Sequence, residues 1–246
     1  MPGLDWLTAR PVAHRGLHDA ANGVIENTPS AFAAAMAGNY AIECDLQLSA
    51  DGEAMVFHDE TLDRLTAAHG ALASRNSEEL KAISFKNTAD RMLTLSELCE
   101  LVAGRVTLLI EIKSHYDGDT RLAARTCQVL QGYAGPVAAM SFDPVLVSAL
   151  RTLAPGMPRG LVAENRRPKD SGVESGLGSA WSYLREAVRS RPHFLAWSVR
   201  NLPSAAPLIG RYVLGLPLLT WTVRSEQQRK TARRYASQMI FEGFRP

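Results

Sequence analysis

The chain has 246 residues, of which 46% are apolar and 21% are charged. This length suffices for one large core and is typical of a single α/β barrel domain, so we expect one domain over residues 1–246. A formal net charge of +2 excludes a general polyanion binder such as a nucleic-acid-binding protein. The three cysteines form no metal or disulfide motif, and no apolar stretch matches a signal peptide or membrane span. We therefore expect a cytoplasmic protein with no membrane association.

Short apolar β-type runs alternate along the chain with stretches of helical periodicity. This is the pattern of a parallel sheet covered by helices. The first helix is expected to begin at Thr28-Pro29-Ser30 and to stop at Gly38. Eight strands are predicted, at residues 11–16, 41–49, 106–113, 137–142, 159–165, 193–200, 217–224 and 238–242. Eight is the strand number of the TIM (β/α)8 barrel, an α/β fold.

Two connections are unusual for such a barrel. The segment 50–105 is far longer than a βα loop needs to be and contains a tight-turn signal at Asp51-Gly52, so it predicts an inserted cap after the second strand. The segment "NRRPKDSGVESGLGSAW", residues 165–181, has no apolar period and predicts a mobile loop.

Three carboxylates indicate a metal site. Glu43 and Asp45 project from the same face of the second strand, whereas Cys44 points the other way. Two carboxylates in one cavity repel each other, so one would keep its proton near neutral pH unless a cation were bound. Glu111, near the end of the third strand, adds a third carboxylate. Oxygen ligands favour Mg²⁺ or Ca²⁺ over zinc and leave Mn²⁺ open.

A Glu-x-Asp pattern by itself is more often an outward polar pair of an antiparallel sheet. Here its flanks Ile42 and Leu46 are apolar, and Glu111 follows three apolar residues. An unpaired charge in such surroundings is costly, which favours the metal site.

Two histidines, His14 and His58, follow apolar runs. A single histidine in such a place is more often structural, and Asp59 could simply be the partner of His58. Two histidines beside a metal, however, supply an acid and a base near neutral pH. Arg15 and Lys113 add positive charge, and arginine suits forked contacts with phosphate. This combination is more typical of phosphoryl transfer than of proton abstraction from carbon.

The order and spacing of these motifs resemble those of the glycerophosphodiester phosphodiesterase family. The resemblance continues through "LDRLTAAHG", "TLSEL", "SFDPVLVSALRTLAP" and "LLTWTVRS", so it covers nearly the whole chain. The motifs that carry it are His14-Arg15-Gly16, Glu26-Asn27-Thr28, Glu43-Cys44-Asp45, Asp51-Gly52, His58-Asp59 and Glu111-Ile112-Lys113.

The resemblance implies a TIM barrel with a small cap after strand 2 that hydrolyses a small-molecule glycerophosphodiester to glycerol 3-phosphate and an alcohol. It implies a divalent cation, Mg²⁺ or Ca²⁺, as cofactor. The resemblance implies acid/base catalysis by His14 and His58, and metal binding by Glu43, Asp45 and Glu111. It implies phosphate binding by Arg15 and Lys113 and a place near the substrate pocket for Trp221. Glu26 and Asn27 would support the substrate site from behind it or at the metal's edge.

The end of the last strand departs from the family. The last strand usually ends in a Thr-Asp-Asp-Pro-like turn, whereas this chain has "MIFEGFRP", with Glu242 and Gly243 at that place. His18 lies past the first strand and outside every matched position, so we exclude it from the predicted site.

Several alternatives stay open at this point. Phosphatidylinositol-specific phospholipase C and sphingomyelinase D use a related barrel, and a non-catalytic barrel or a metal-dependent isomerase or aldolase would share parts of the pattern. The sequence also leaves open the head group, the native metal, the oligomeric state, which histidine is the base, and whether water or a glycerol hydroxyl is the nucleophile.

Overall fold

A computed structural model describes residues 3–165 and 180–246 of the chain. Its strands are β1 (Val12–Ala13), β2 (Ala41–Leu48), β3 (Ala54–Val56), β4 (Leu108–Ile112), β5 (Val137–Ser141), β6 (Arg159–Ala163), β7 (Phe194–Ser198), β8 (Leu218–Val223) and β9 (Gln238–Phe241). Its α-helices are α1 (Asp5–Thr8), α2 (Pro29–Ala37), α3 (Ser77–Ala82), α4 (Leu95–Val102), α5 (Arg121–Leu130), α6 (Pro144–Leu153), α7 (Ala180–Ser190), α8 (Ala205–Tyr212) and α9 (Glu226–Tyr235).

Eight of the strands close into a parallel barrel. The order is β1-β9-β8-β7-β6-β5-β4-β2, and β1 pairs with both β9 and β2. All eight coincide with predicted strands, and helices lie between successive strands. The predicted TIM barrel is therefore confirmed. No helix within the described ranges has the length and apolar character that crossing a membrane requires.

The alternation of side chains along β4 explains why Glu111 reaches the interior. Leu108, Ile110 and Ile112 pack outward with the helices, whereas Leu109 packs inside the barrel. Glu111 lies two residues after Leu109 and therefore faces the same side, so it points inward at the carboxyl end of the strand. The same alternation in β2 sends Cys44 outward into the helix layer, as predicted.

The segment between β2 and β4 contains an insertion with its own small core. The tight turn at Gly52, whose φ is +83°, joins β2 to the antiparallel strand β3. Helix α4 that follows packs against the main barrel through Leu95, Leu98 and Val102. The apolar side chains that form the insertion's core with Ile25 are Met55, Phe57, Leu62, Leu72, Leu80, Phe85 and Met92.

The first strand is shorter than the sequence predicts, whereas the first predicted helix ends where expected. The first strand stops at Ala13, because Arg15 and Gly16 have left-handed φ values of 55° and 79°. Helix α2 stops at Gly38 as predicted, and the next residue, Asn39, is left-handed with φ 60°. Gly38 is needed for space, since a Cβ there would lie 2.6 Å from the Tyr40 ring. The loop predicted at residues 165–181 lies outside the described residues except at its ends.

Candidate active site

A cavity of about 420 Å³ opens at the carboxyl ends of the barrel strands. This is the end at which barrel enzymes carry their active sites. Seven of the ten predicted site residues line it, namely His14, Arg15, Glu43, His58, Glu111, Lys113 and Trp221. The other three, Glu26, Asn27 and Asp45, lie behind this surface and contact the residues that form it.

The three carboxylates come together on two adjacent strands. Asp45 on β2 lies directly opposite Glu111 on β4. Glu43 lies two residues before Asp45 on β2 and faces the same side. All three are buried, and one oxygen of each lies within 4.8 Å of the others. Burial, together with the charges of Asp45 and Glu111, raises the pKa of Glu43 well above its usual value. The sequence predicted this conflict between like charges.

The donor set fits a hard divalent cation. It contains only carboxylate oxygens, which are the ligands that Mg²⁺ and Ca²⁺ prefer. A cation within this cluster would also relieve the repulsion that raises the pKa of Glu43. Glu43, Asp45 and Glu111 are therefore the residues that could hold a metal here.

Lys113 and Arg15 already neutralise part of this negative charge. Lys113 Nζ lies 2.7 Å from Asp45 Oδ1 and also donates to Glu111, while Arg15 Nε lies 3.2 Å from Asp45 Oδ2. Burial opposes ionisation of Asp45, but these two cations outweigh it and hold its pKa well below the usual value.

The turn after β1 places Arg15 against the carboxylates. In its left-handed conformation, Arg15 donates its backbone N–H to Glu43 Oε2 at 2.9 Å and its guanidinium to Glu26 Oε1 at 2.6 Å. Asn27 donates its side-chain amide to Asp45 Oδ2 at 2.9 Å, and its backbone N–H to the Arg15 carbonyl at 2.9 Å. Glu26 and Asn27 thus orient Arg15 and Asp45 from behind the cavity wall.

His14 is held by a carboxylate and an arginine that the sequence does not place beside it. Its Nδ1 lies 2.8 Å from Glu242 Oε2. Arg224 donates to both oxygens of Glu242, at 3.2 and 3.0 Å. Burial alone would raise the pKa of Glu242, but His14 and Arg224 lower it to about 2.

His58, which also lines the cavity, has the same arrangement. Its Nδ1 lies 2.7 Å from Asp59 Oδ1, and Arg64 donates to both oxygens of Asp59, at 2.6 and 2.9 Å. Arg64 also donates to Glu26, at 2.7 and 3.0 Å, which connects this group to Arg15. In both groups the carboxylate occupies Nδ1, which leaves Nε2 as the ring nitrogen available to a substrate.

Sequence reasoning missed several members of this site. Arg64 and Arg224 complete the two histidine groups, and Arg200 lines the cavity at the end of β7. Glu242 was noted only as a departure from the family. An arginine within a polar surface segment gives no signal of its own, so only the fold identifies these partners. Trp221 lines the cavity and packs edge-on against Phe142, with ring centroids 5.3 Å apart.

Known proteins resemble this chain over much of its length. The model of the glycerophosphoryl diester phosphodiesterase family matches residues 14–242. A glycerophosphodiester phosphodiesterase of Caldanaerobacter subterraneus subsp. tengcongensis is 44% identical over 111 residues, which are 42% of this chain and 44% of that relative. This match therefore spans less than half of that relative's length. A putative glycerophosphodiester phosphodiesterase of Bacillus subtilis is 26% identical over 227 residues, or 83% of this chain and 92% of the relative.

A solved structure shares the fold over almost the whole chain. It is an Oleispira antarctica phosphodiesterase in complex with the product sn-glycerol-3-phosphate, with a TM-score of 0.80 at 19% identity, and the match covers 97% of this chain and 95% of that one. The family match begins at His14 and ends at Glu242, so it contains both histidine groups and the carboxylate cluster. The chain belongs to the glycerophosphoryl diester phosphodiesterase family, a family of phosphodiester hydrolases, as its motifs predicted.

Proposed function

We propose that the chain hydrolyses glycerophosphodiesters to glycerol 3-phosphate and an alcohol, with a divalent cation as cofactor. The observation that carries the proposal is the pair of matched histidine–carboxylate–arginine groups beside a buried three-carboxylate cluster. The Oleispira antarctica relative in complex with sn-glycerol-3-phosphate supports a small-molecule substrate with this phosphate half.

Glu43, Asp45 and Glu111 would hold the cation, for which Mg²⁺, Ca²⁺ and Mn²⁺ are the candidates. When bound, it would supply positive charge that stabilises the phosphoryl oxygens as negative charge builds on them. Arg15 and Lys113 line the cavity beside these carboxylates and would bind the same phosphoryl group.

The two histidines would move the protons. One takes a proton from the nucleophile as its oxygen bonds to phosphorus, and the other gives a proton to the alkoxide that leaves. Glu242 and Asp59 keep the two rings oriented with Nε2 free. Both groups have the same construction, so His14 and His58 are equivalent candidates for base and acid. Water and a neighbouring glycerol hydroxyl are both possible nucleophiles.

Release of glycerol 3-phosphate from a panel of glycerophosphodiesters, crossed with a panel of metals, tests this function. We expect product with at least one of glycerophosphocholine, glycerophosphoethanolamine and glycerophosphoglycerol when Mg²⁺, Ca²⁺ or Mn²⁺ is present. Glu43→Gln should lose turnover and metal binding together. His58→Ala should keep metal binding and lose about 10²–10⁴-fold in kcat, the usual contribution of acid–base catalysis.

Two results would contradict the proposal. The first is no product from any diester with any metal, and the second is a near wild-type rate for His58→Ala. His69→Asn is a suitable control, because His69 pairs with Asp63 on the exposed surface of the insertion. It should leave the rate unchanged.

A further inference from the structure

His18 lies beside the cavity but is not among the residues that line it, and it has no role in the proposed reaction. Its Nε2 lies 3.9 Å from Glu242 Oε2, the same oxygen that lies 2.8 Å from His14 Nδ1. Two imidazoles and one carboxylate therefore meet at one point of the rim. This group shares no residue with the three-carboxylate cluster.

We propose that His14, His18 and Glu242 form a second metal site, selective for a borderline ion such as Zn²⁺. One ligand atom of each residue lies within 4.8 Å of the other two. Around a tetrahedral zinc ion with bonds of about 2.0–2.1 Å, ligand atoms lie about 3.3 Å apart. The observed separations of 2.8 and 3.9 Å lie on either side of this value, so small side-chain shifts suffice to bind the ion.

The environment of His18 supports a ligand at its ring nitrogen. Within residues 3–165 and 180–246, Nε2 of His18 is buried and has no hydrogen-bond partner. A buried polar atom without a partner is unfavourable, and a bound ion would satisfy it. The backbone that leads into His18 is fixed, because the left-handed residues Arg15 and Gly16 reverse the chain and Leu17 then donates to the Ala31 carbonyl at 2.9 Å.

Ligand chemistry separates this site from the carboxylate cluster. Two imidazoles favour Zn²⁺, Cu²⁺ or Ni²⁺, whereas an oxygen-only cluster favours Mg²⁺ or Ca²⁺. Neighbouring positive charges lower the affinity of this site for a metal cation. Arg224 already donates to both oxygens of Glu242, and Arg15 lies near His18. An ion must compete with Arg224 for the carboxylate, so we expect reversible binding.

An ion at this site would inhibit the proposed reaction. It would bind Nδ1 of His14 and replace the contact with Glu242 that orients the ring. His14 could then no longer act as acid or base in its present geometry. Inhibition rests on the proposed function, whereas metal binding does not.

Binding is tested on EDTA-treated protein with saturating Mg²⁺, which is added to compete with Zn²⁺ for the carboxylate cluster. Zn²⁺ uptake is followed by equilibrium dialysis, and Co²⁺ is used as a visible-absorption probe of imidazole ligation. We expect one Zn²⁺ site in wild type. Loss of a residue that only orients a metal ligand costs about 10–100-fold in affinity. His18→Asn should weaken Zn²⁺ binding by more than this, because it removes a ligand. His69→Asn should bind Zn²⁺ as wild type does.

Equal Zn²⁺ affinity and equal Co²⁺ spectra in wild type and His18→Asn would overturn the site. If His18→Asn does not fold, X-ray absorption of the zinc-loaded wild type decides instead. Two imidazole ligands per second-site zinc support the proposal, and none or one contradicts it.

Activity then tests the consequence. With Mg²⁺ saturating, Zn²⁺ should inhibit wild type, while His18→Asn should keep the Mg²⁺-supported rate and resist Zn²⁺. Equal inhibition of both proteins would place the inhibitory zinc elsewhere and contradict the inference. If no diester is hydrolysed under any condition, the proposed function fails, while the dialysis experiment still decides the metal site.

Discussion

Glu242 and Asp59 hold the two cavity histidines in the same way, although they lie very differently along the chain. Asp59 follows His58 directly, whereas Glu242 is 228 residues from His14. Each carboxylate accepts two hydrogen bonds from one arginine, Arg64 or Arg224. The arginine keeps the carboxylate ionised, which in turn keeps Nδ1 of the histidine engaged.

Replacement of Glu242 tests this ion pairing through the pH dependence of stability. The pKa of Glu242 is lowered from 4.5 to about 2, so its stabilisation is present above about pH 4.5 and is lost as the pH falls towards 2. Glu242→Gln should therefore be less stable than wild type at pH 5, by about 1 kcal/mol because solvent screens part of the interaction. The difference should shrink by pH 3. Urea unfolding at pH 5 and pH 3 measures the free energy of unfolding of both proteins. A difference between the two proteins that is the same at both pH values would contradict the assignment.

The segment between β1 and α2 positions several residues of the site. Two of its left-handed residues, Arg15 and Gly16, turn the backbone so that Arg15 meets Glu43, Asp45 and Glu26. A Cβ on Gly16 would lie 2.8 Å from the backbone of Ala31, where little can move. Glycine is thus required here both for its backbone conformation and for space.

Gly16→Ala and Gly52→Ala separate these two requirements. Both glycines have similar φ values, +79° and +83°, but a Cβ on Gly52 would meet nothing within 4 Å. Gly52→Ala should cost about 1–2 kcal/mol of folding free energy from the backbone alone. Gly16→Ala should cost clearly more because the clash adds to it. Urea unfolding provides the measurement, and equal losses would show that the contact with Ala31 is easily relieved.

The insertion contributes a catalytic candidate to the barrel through its hairpin. Strand β3 pairs with β2 from Leu46 to Leu48, and the Phe57 N–H then bonds the Asp45 carbonyl at 3.0 Å. Gln47 donates to the His58 carbonyl at 3.0 Å. These contacts fix the backbone of His58 beside β2, and His58 lines the same cavity as Glu43, so the insertion and the barrel together form one site.

Across the whole molecule, the buried carboxylate cluster couples metal binding to folding. A ligand that binds only the folded state stabilises it, by about 2.7 kcal/mol at a hundredfold excess over Kd. Mg²⁺ should therefore raise the Tm of wild type. Glu43→Gln should abolish this rise, and without metal it should be at least as stable as wild type, because it removes the repulsion that raises the pKa of Glu43. Thermal unfolding with and without Mg²⁺ checks both expectations.

Asp119→Asn is the matched control for this experiment. Asp119 is an aspartate of the surface that pairs with Arg121. Its replacement should leave the metal-dependent rise in Tm intact. A rise that persists in Glu43→Gln would place the ion outside the carboxylate cluster.

The eight strands, the hairpin after β2 and the inward direction of Glu43, Asp45 and Glu111 follow from the sequence alone. Periodicity identifies a strand. Because side chains alternate along a strand, residues two apart share a face. Neighbouring motifs such as His58-Asp59 are also visible there, since both members lie in one short segment. For these features local chemistry is sufficient.

Only the tertiary structure pairs Glu242 with His14, Arg64 with Glu26, and His18 with the rim of the cavity. Closure of the barrel sets β1 beside β9 and so brings residues from the two ends of the chain into contact. Packing of the insertion brings Arg64 to Glu26, 38 residues away. Such contacts depend on the register and closure of the sheet, which no local pattern encodes, and so the partners that orient the predicted histidines emerge only from the fold.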